Sequence, residues 1–184
     1  MTVRKTGVKT DESVKFSGKA RLYLVRHGIA IDREDPDCPE EAQRFLTPKG
    51  VDRTREAAFG LSQLNIKPTV LLTSPYLRAV QTGEIVCEAL DIDPKQLRTT
   101  EALKPTAEPK RLAEELEKLF AQEIICFGHA PQLDEFIAFV VRAGAPFTAL
   151  KKAGAACLEL NSLSPLSASL VWLLTAKVLR FLGD

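Results

Sequence analysis

Short apolar runs alternate along this chain with stretches whose apolar residues recur every three or four positions. Leu22-Tyr23-Leu24-Val25 is uninterrupted, as a strand covered on both faces requires, and predicts a strand over Arg21–Arg26. Val70-Leu71-Leu72 predicts a second strand within Thr69–Thr73, Leu97–Thr99 a short third, and Ile124-Ile125-Cys126-Phe127 a fourth. Helical periodicity fills the gaps. Val51, Ala57, Ala58, Leu61 and Leu64 share one face of a helix that opens at Thr47-Pro48 and stops by Asn65 and Pro68. A second helix, starting at Ser74-Pro75, buries Ala79, Val80, Thr82, Ile85, Val86 and Leu90. Thr47 and Ser74 suit the N-cap, and Pro48 and Pro75 the first helical position. Leu112, Leu116, Leu119 and Phe120 mark a helix over Glu108–Phe120, and Leu133, Phe136, Ile137 and Val140 one over Gln132–Val141. Ala155–Leu160 and Ser169–Leu174 read as two more strands. Their connection, Asn161–Ala168, is too short for a crossover helix, so they should form an antiparallel hairpin. Lys177–Leu182 completes the chain as a last helical turn. This order predicts an α/β fold: a three-layer α/β/α sandwich with a mostly parallel sheet and an antiparallel C-terminal hairpin.

Composition narrows the class. The 184 residues suit one domain, expected over 20–184, behind a polar, flexible tail over 1–19. That tail lacks the apolar core of a signal peptide. No window reaches membrane-spanning length without charges. The net charge of +1 offers no field for nucleic acid. Cys38, Cys87, Cys126 and Cys157 are too dispersed for an ordinary zinc site and fit a reducing compartment. The expectation is a cytoplasmic protein with no nucleic-acid or membrane partner.

The candidate chemistry gathers where strands end. Arg26 and His27 close the first strand before Gly28. Ser74 and Arg78 follow the second. His129 follows the fourth, beside Gly128. In open α/β sheets the carboxyl ends of strands are where ligands bind. These are the chain's only two histidines, and both stand beside glycine at a strand end. Arg78 falls in the first turn of its helix, where the dipole disfavours a cation and favours an incoming anion. Pairing with Glu41 or another nearby carboxylate is the competing explanation. Two arginines and two histidines around one point suit a phosphoryl group: arginine matches its oxygens in bidentate fashion, and neutral histidine can form a covalent intermediate. Two histidines without an obvious carboxylate partner make a poor metal set, and no metal or other cofactor is expected. No nucleophile elbow or phosphate-binding glycine loop is present.

Four blocks in order carry a family likeness. Leu24-Val25-Arg26-His27-Gly28 resembles the Arg-His-Gly signature of the histidine phosphatase superfamily, also called phosphoglycerate-mutase-like. Leu46-Thr47-Pro48-Lys49-Gly50 is similar to its helix start. Ser74-Pro75-Tyr76-Leu77-Arg78-Ala79-Val80-Gln81-Thr82 resembles its Ser-Pro-x-x-Arg-Ala-x-Gln-Thr block. Gly128-His129-Ala130-Pro131 resembles its second histidine block. The short chain and the Gly-His-x-Pro form look most like the SixA-type phosphohistidine phosphatases. The resemblance implies that His27 attacks phosphorus and becomes a phosphohistidine. Arg26, Arg78 and His129 would bind the phosphoryl oxygens, and Ser74 would help shape the pocket. It departs from the family at Ala30 and the acidic run from Asp32, where many members carry Thr and Asn. It also departs after Glu101, the position of a general acid in larger members, because the motif that follows that acid is absent. A missing acid disfavours alkyl esters, whose alkoxide needs a proton. It suits a phosphoramidate, whose protonated imidazole leaves as a neutral base. Phosphohistidine on a signalling protein, such as a histidine-containing phosphotransfer domain, is the expected substrate. Small phosphate monoesters, or a module that only recognises phosphate, are the alternatives.

Overall fold

The structure is a computed structural model and describes residues 20–119 and 121–183. The tail expected over 1–19 and Phe120, the expected last residue of a helix, lie outside the described residues.

Six strands form one sheet: β1 (Arg21–Arg26), β2 (Val70–Thr73), β3 (Leu97–Thr99), β4 (Glu123–Gly128), β5 (Ala155–Leu163) and β6 (Leu166–Leu174). Their order is β3-β2-β4-β1-β5-β6. The first four run parallel, β5 is antiparallel to β1, and β6 is antiparallel to β5. Among the described residues five α-helices accompany them: α1 (Pro48–Ser62), α2 (Leu77–Ala89), α3 (Pro109–Leu116), α4 (Gln132–Val140) and α5 (Ala176–Gly183). Among the described residues no helix is long and apolar enough to cross a membrane.

The unbroken apolar runs follow from burial on both faces. Side chains alternate across the sheet. Tyr23, Val25, Leu71, Ile125 and Phe127 pack against Ala57, Ala58 and Leu61 of α1, Ile85 and Val86 of α2, and Leu179 of α5. Leu22, Leu24, Leu72, Ile124 and Cys126 face the other way, onto Leu112 and Leu116 of α3 and Leu133, Phe136 and Ile137 of α4. The result is the expected three layers. Emptying a core position such as Phe136 costs about 3–5 kcal/mol.

Register aligns the strand ends. Thr73 lies level with Phe127, and Phe127 with Val25. The ladder runs one residue further: the Ser74 amide donates to Phe127 O (2.9 Å) and the His27 amide to Gly128 O (3.0 Å). Backbone pairing alone therefore sets Ser74, His129 and Arg26-His27 side by side, on strands about 5 Å apart. Gly28 lets the chain leave this edge beside α1. A Cβ at Gly28 would strike the Thr54 hydroxyl, and one at Gly50 would strike the Ile29 carbonyl.

Three local expectations change. Ser74 is not a helix cap. It still belongs to the sheet ladder, so α2 begins only at Leu77, with Tyr76 at the N-cap position and no side-chain cap. The helix predicted from Glu108 is shorter, Pro109–Leu116, because the chain tightens into i→i+3 turns at Lys118 and Leu119. The hairpin strands reach inward to a two-residue turn, Ser164-Pro165, because Leu163 pairs with Leu166 and Ser162 with Ser167. By contrast Thr47 caps α1 as expected, its hydroxyl accepting from Gly50 N at 3.0 Å.

Candidate active site

At the end of β1, Arg26 is held by a residue 124 positions further along the chain. Its Nη1 donates to Leu150 O at 2.8 Å. Leu150 N in turn donates to Asp134 Oδ1 (2.9 Å), which also accepts from the Thr148 hydroxyl (2.6 Å). Asp134 lies buried in the first turn of α4, an electrostatically favourable place for a carboxylate. It anchors the loop whose Leu150 carbonyl holds Arg26.

His27 follows, buried. Its Nδ1 lies 2.8 Å from Gly28 O. A carbonyl only accepts, so Nδ1 carries the proton and Nε2 keeps its lone pair. Burial, then the charges of Arg78, Arg26 and Lys152, lower its pKa to about 3, against the opposing hydrogen bond to Gly28. The ring is neutral at physiological pH.

His129 stands 5.0 Å from His27 between ring centroids. It is 1% exposed. Burial and the neighbouring His27, Arg78 and Arg26 lower its pKa to about 2, with Glu41 pulling the other way. Its Nε2 lies 2.9 Å from Ser74 Oγ. The Ser74 hydroxyl, 3.3 Å from Tyr76 N, is thus the polar support of His129. The Tyr76 ring meets His129 edge-on at 5.3 Å.

Arg78, 3% exposed, projects from the first turn of α2. Its guanidinium carbon lies 5.1 Å from the Tyr76 centroid, within reach of a cation–π attraction. Nη1 donates to Glu41 O (2.7 Å) and Nη2 to Glu41 Oε1 (2.8 Å). Glu41 also accepts from Arg33 Nε (2.9 Å) and Arg44 Nη1 (3.1 Å). These cations hold its pKa at about 2. Arg78 therefore pairs with Glu41, the competing explanation, and also stands beside the histidines.

Arg26 Nε, Arg78 Nε and His129 Nδ1 are buried without a hydrogen-bond partner among the described residues. The two arginine Nε–H groups are unpaired buried donors, which are costly and are available to the oxygens of an anion. Beside them stands a neutral imidazole with a free Nε2. This arrangement can bind a phosphoryl group and attack it.

Glu101 does not join the cluster. It is exposed, and its carboxylate pairs with Lys104 Nζ at 2.6 Å. No hydrogen bond or ion pair links it to Arg26, His27, Arg78 or His129. Asp134 and Tyr76 were not among the residues the sequence pointed to, and Glu41 only as one possible partner of Arg78. Their signal was faint: Glu41-x-x-Arg44 sits inside a charge run that resembles a solvated loop.

The model of the histidine phosphatase superfamily (branch 1) matches residues 22–107, which include Arg26, His27 and Arg78 but stop short of His129. An uncharacterized protein of Picosynechococcus sp. is 38% identical over 118 residues, 62% of this chain and 69% of its own. The solved structure of the protein histidine phosphatase SixA with tungstate superposes with a TM-score of 0.76 at 22% identity, covering 85% of this chain and 97% of that one. A mycobacterial glucosyl-3-phosphoglycerate phosphatase with inorganic phosphate gives 0.63 at 15% identity, covering 86% and 99%. These two structures share the fold.

Proposed function

The chain belongs to the histidine phosphatase superfamily, and we propose that within it the protein removes the phosphoryl group from phosphohistidine on a signalling protein, with His27 as nucleophile. That it is a phosphatase working through a histidine nucleophile follows from the family. The assignment of His27 as that nucleophile rests chiefly on one observation. His27 is a buried neutral imidazole, its Nδ1–H on Gly28 O and its Nε2 free, facing His129 near two buried-side arginines.

In the proposed reaction His27 Nε2 attacks phosphorus in line. The P–N bond to the substrate imidazole breaks, and its electron pair stays on that nitrogen. The other ring nitrogen already carries a proton, so the leaving group departs neutral. Arg26, Arg78 and His129 take the charge that develops on the phosphoryl oxygens. Ser74 acts by orienting His129. Water then attacks the phosphohistidine at His27 and releases phosphate.

The carboxylates favour phosphohistidine over an ester. Glu41 is held ionised by its arginines, and Glu101 is turned to Lys104. Neither stands as a protonated acid beside His27 to serve an alkoxide. A phosphoramidate needs no such donor. The partner would be a histidine-containing phosphotransfer domain or another phosphorylated protein.

The test measures phosphate release from a phosphohistidine protein and, separately, from a panel of phosphate esters. Turnover of the phosphoprotein that disappears in His27→Ala is the expected result. Fast ester hydrolysis with no action on phosphohistidine would overturn the substrate assignment. Phosphate binding without turnover would overturn the enzyme.

A further inference from the structure

A cavity of about 470 Å³ opens beside Arg26. It is lined by Arg26, Arg53, Lys151, Lys152 and Arg180 around a floor of Ile29, Ala153 and Ala176. Five of its eight lining residues are cations and none is acidic. Cavities of roughly this size take small ligands or single side chains. Arg53 and Arg180 are partly neutralised by Glu56, at 3.6 and 3.3 Å. Lys151 and Lys152 are exposed, and neither pairs with a carboxylate among the described residues.

The backbone ties this cavity to the catalytic edge. Ala153 N donates to both Arg26 O and His27 O at 3.1 Å, and Arg26 N donates to Gly154 O at 3.1 Å. Ala153 adopts φ 54, a left-handed conformation that is uncommon for a residue with a Cβ. Such strain persists where surrounding contacts impose it and clusters at functional positions. Here it falls on the residue that follows the two lysines and bonds to the end of β1. Arg26 lines this cavity and directly precedes His27 at the end of β1.

We propose that this cavity is a second anion-binding subsite, taking a carboxylate or phosphate that the substrate carries beyond its transferred phosphoryl group. It rests on the reading of the Arg26–His27 pocket as the phosphoryl site. On a phosphoprotein the second anion is an acidic side chain near the phosphohistidine. On a small molecule it is a second phosphate. Either would exchange hydration for charge-assisted hydrogen bonds from Lys151 and Lys152.

Binding of non-hydrolysable ligands tests this without turnover, so the phosphatase assay stands or falls separately. Calorimetry compares alkylphosphonates with α,ω-bisphosphonates and phosphonocarboxylates of matched chain length. At one length the second anion should tighten binding by about tenfold or more. That advantage should vanish in Lys151→Ala/Lys152→Ala and persist in Lys67→Ala, which removes one charge at the opposite edge of the sheet. An advantage for the carboxylate would point to an acidic side chain of a protein. An advantage confined to the bisphosphonate would point to a small bisphosphate. Equal binding of all three classes at every length, or an advantage that survives the double substitution, would overturn the subsite.

Discussion

Asp134→Ala should loosen Arg26 from a distance. Asp134 Oδ1 accepts two hydrogen bonds, from Leu150 N and the Thr148 hydroxyl, and Leu150 O holds Arg26. Hydrogen bonds to an ionised group contribute about 1.5–3 kcal/mol each. The Leu150 amide is buried and would lose the full amount, while half-buried Thr148 can turn to water and would lose less. The expected destabilisation is about 3 kcal/mol, or a Tm lower by about 6–12 °C for a chain of this length. Asp134→Asn keeps an acceptor and loses only charge assistance, so it should cost about 1 kcal/mol. Activity should follow the same order, because a slack Leu150 carbonyl leaves the Arg26 fork unaimed. A fall of about tenfold or more in kcat/KM is expected for alanine and a smaller one for asparagine. Thermal denaturation and steady-state kinetics on the three proteins decide the matter. Equal stability of the alanine variant and the parent, or identical kinetics for the two variants, would refute this chain of support.

Ser74→Ala should lower kcat by about tenfold or more, since His129 loses the hydroxyl that orients it. Unchanged kcat with a lowered Tm would instead mean that the hydroxyl serves only the turn. Glu41→Gln should cut kcat/KM about tenfold by loosening Arg78, with a stability cost of only about 1 kcal/mol because the carboxylate is 38% exposed. A stability loss without a kinetic one would reject that role. Both histidines titrate lower in the fold than the ordinary value near 6.5, so the unfolded chain binds more protons below that pH. Stability should therefore be level above about pH 7. It should fall as the pH drops toward 4, by about 1.4 kcal/mol per pH unit for each ring. Urea denaturation of His27→Ala between pH 7 and 4 should show a shallower fall than the parent, and parallel curves would contradict it.

Much of the fold can be read in advance because β1 and β4 are covered on both faces and tolerate only apolar side chains between their ends. The same geometry made His27 and His129 visible, as polar residues that interrupt such runs. The start of α2 was not legible. Ser-Pro resembles a cap, and only the ladder bond from Ser74 to Phe127 shows that the strand has not yet ended. Glu41 and Asp134 were hidden for a related reason. Each acts on an arginine supplied by another element, and a charge in a loop or a helical first turn looks the same whether it faces water or a guanidinium.

The place of β1 in the sheet bears on how this protein is made. Among the described residues it is the first of the six strands to be synthesised, yet it lies between β4 and β5, the fourth and fifth. Nearly one hundred residues separate Arg26 from Glu123, where β4 begins. At about 5–20 residues per second, a ribosome takes roughly 5–20 s to supply that first partner. Its second partner, and the Leu150 carbonyl that fixes Arg26, come later still. The nascent chain thus carries Arg26-His27 unassembled until β4, Leu150 and β5 have emerged.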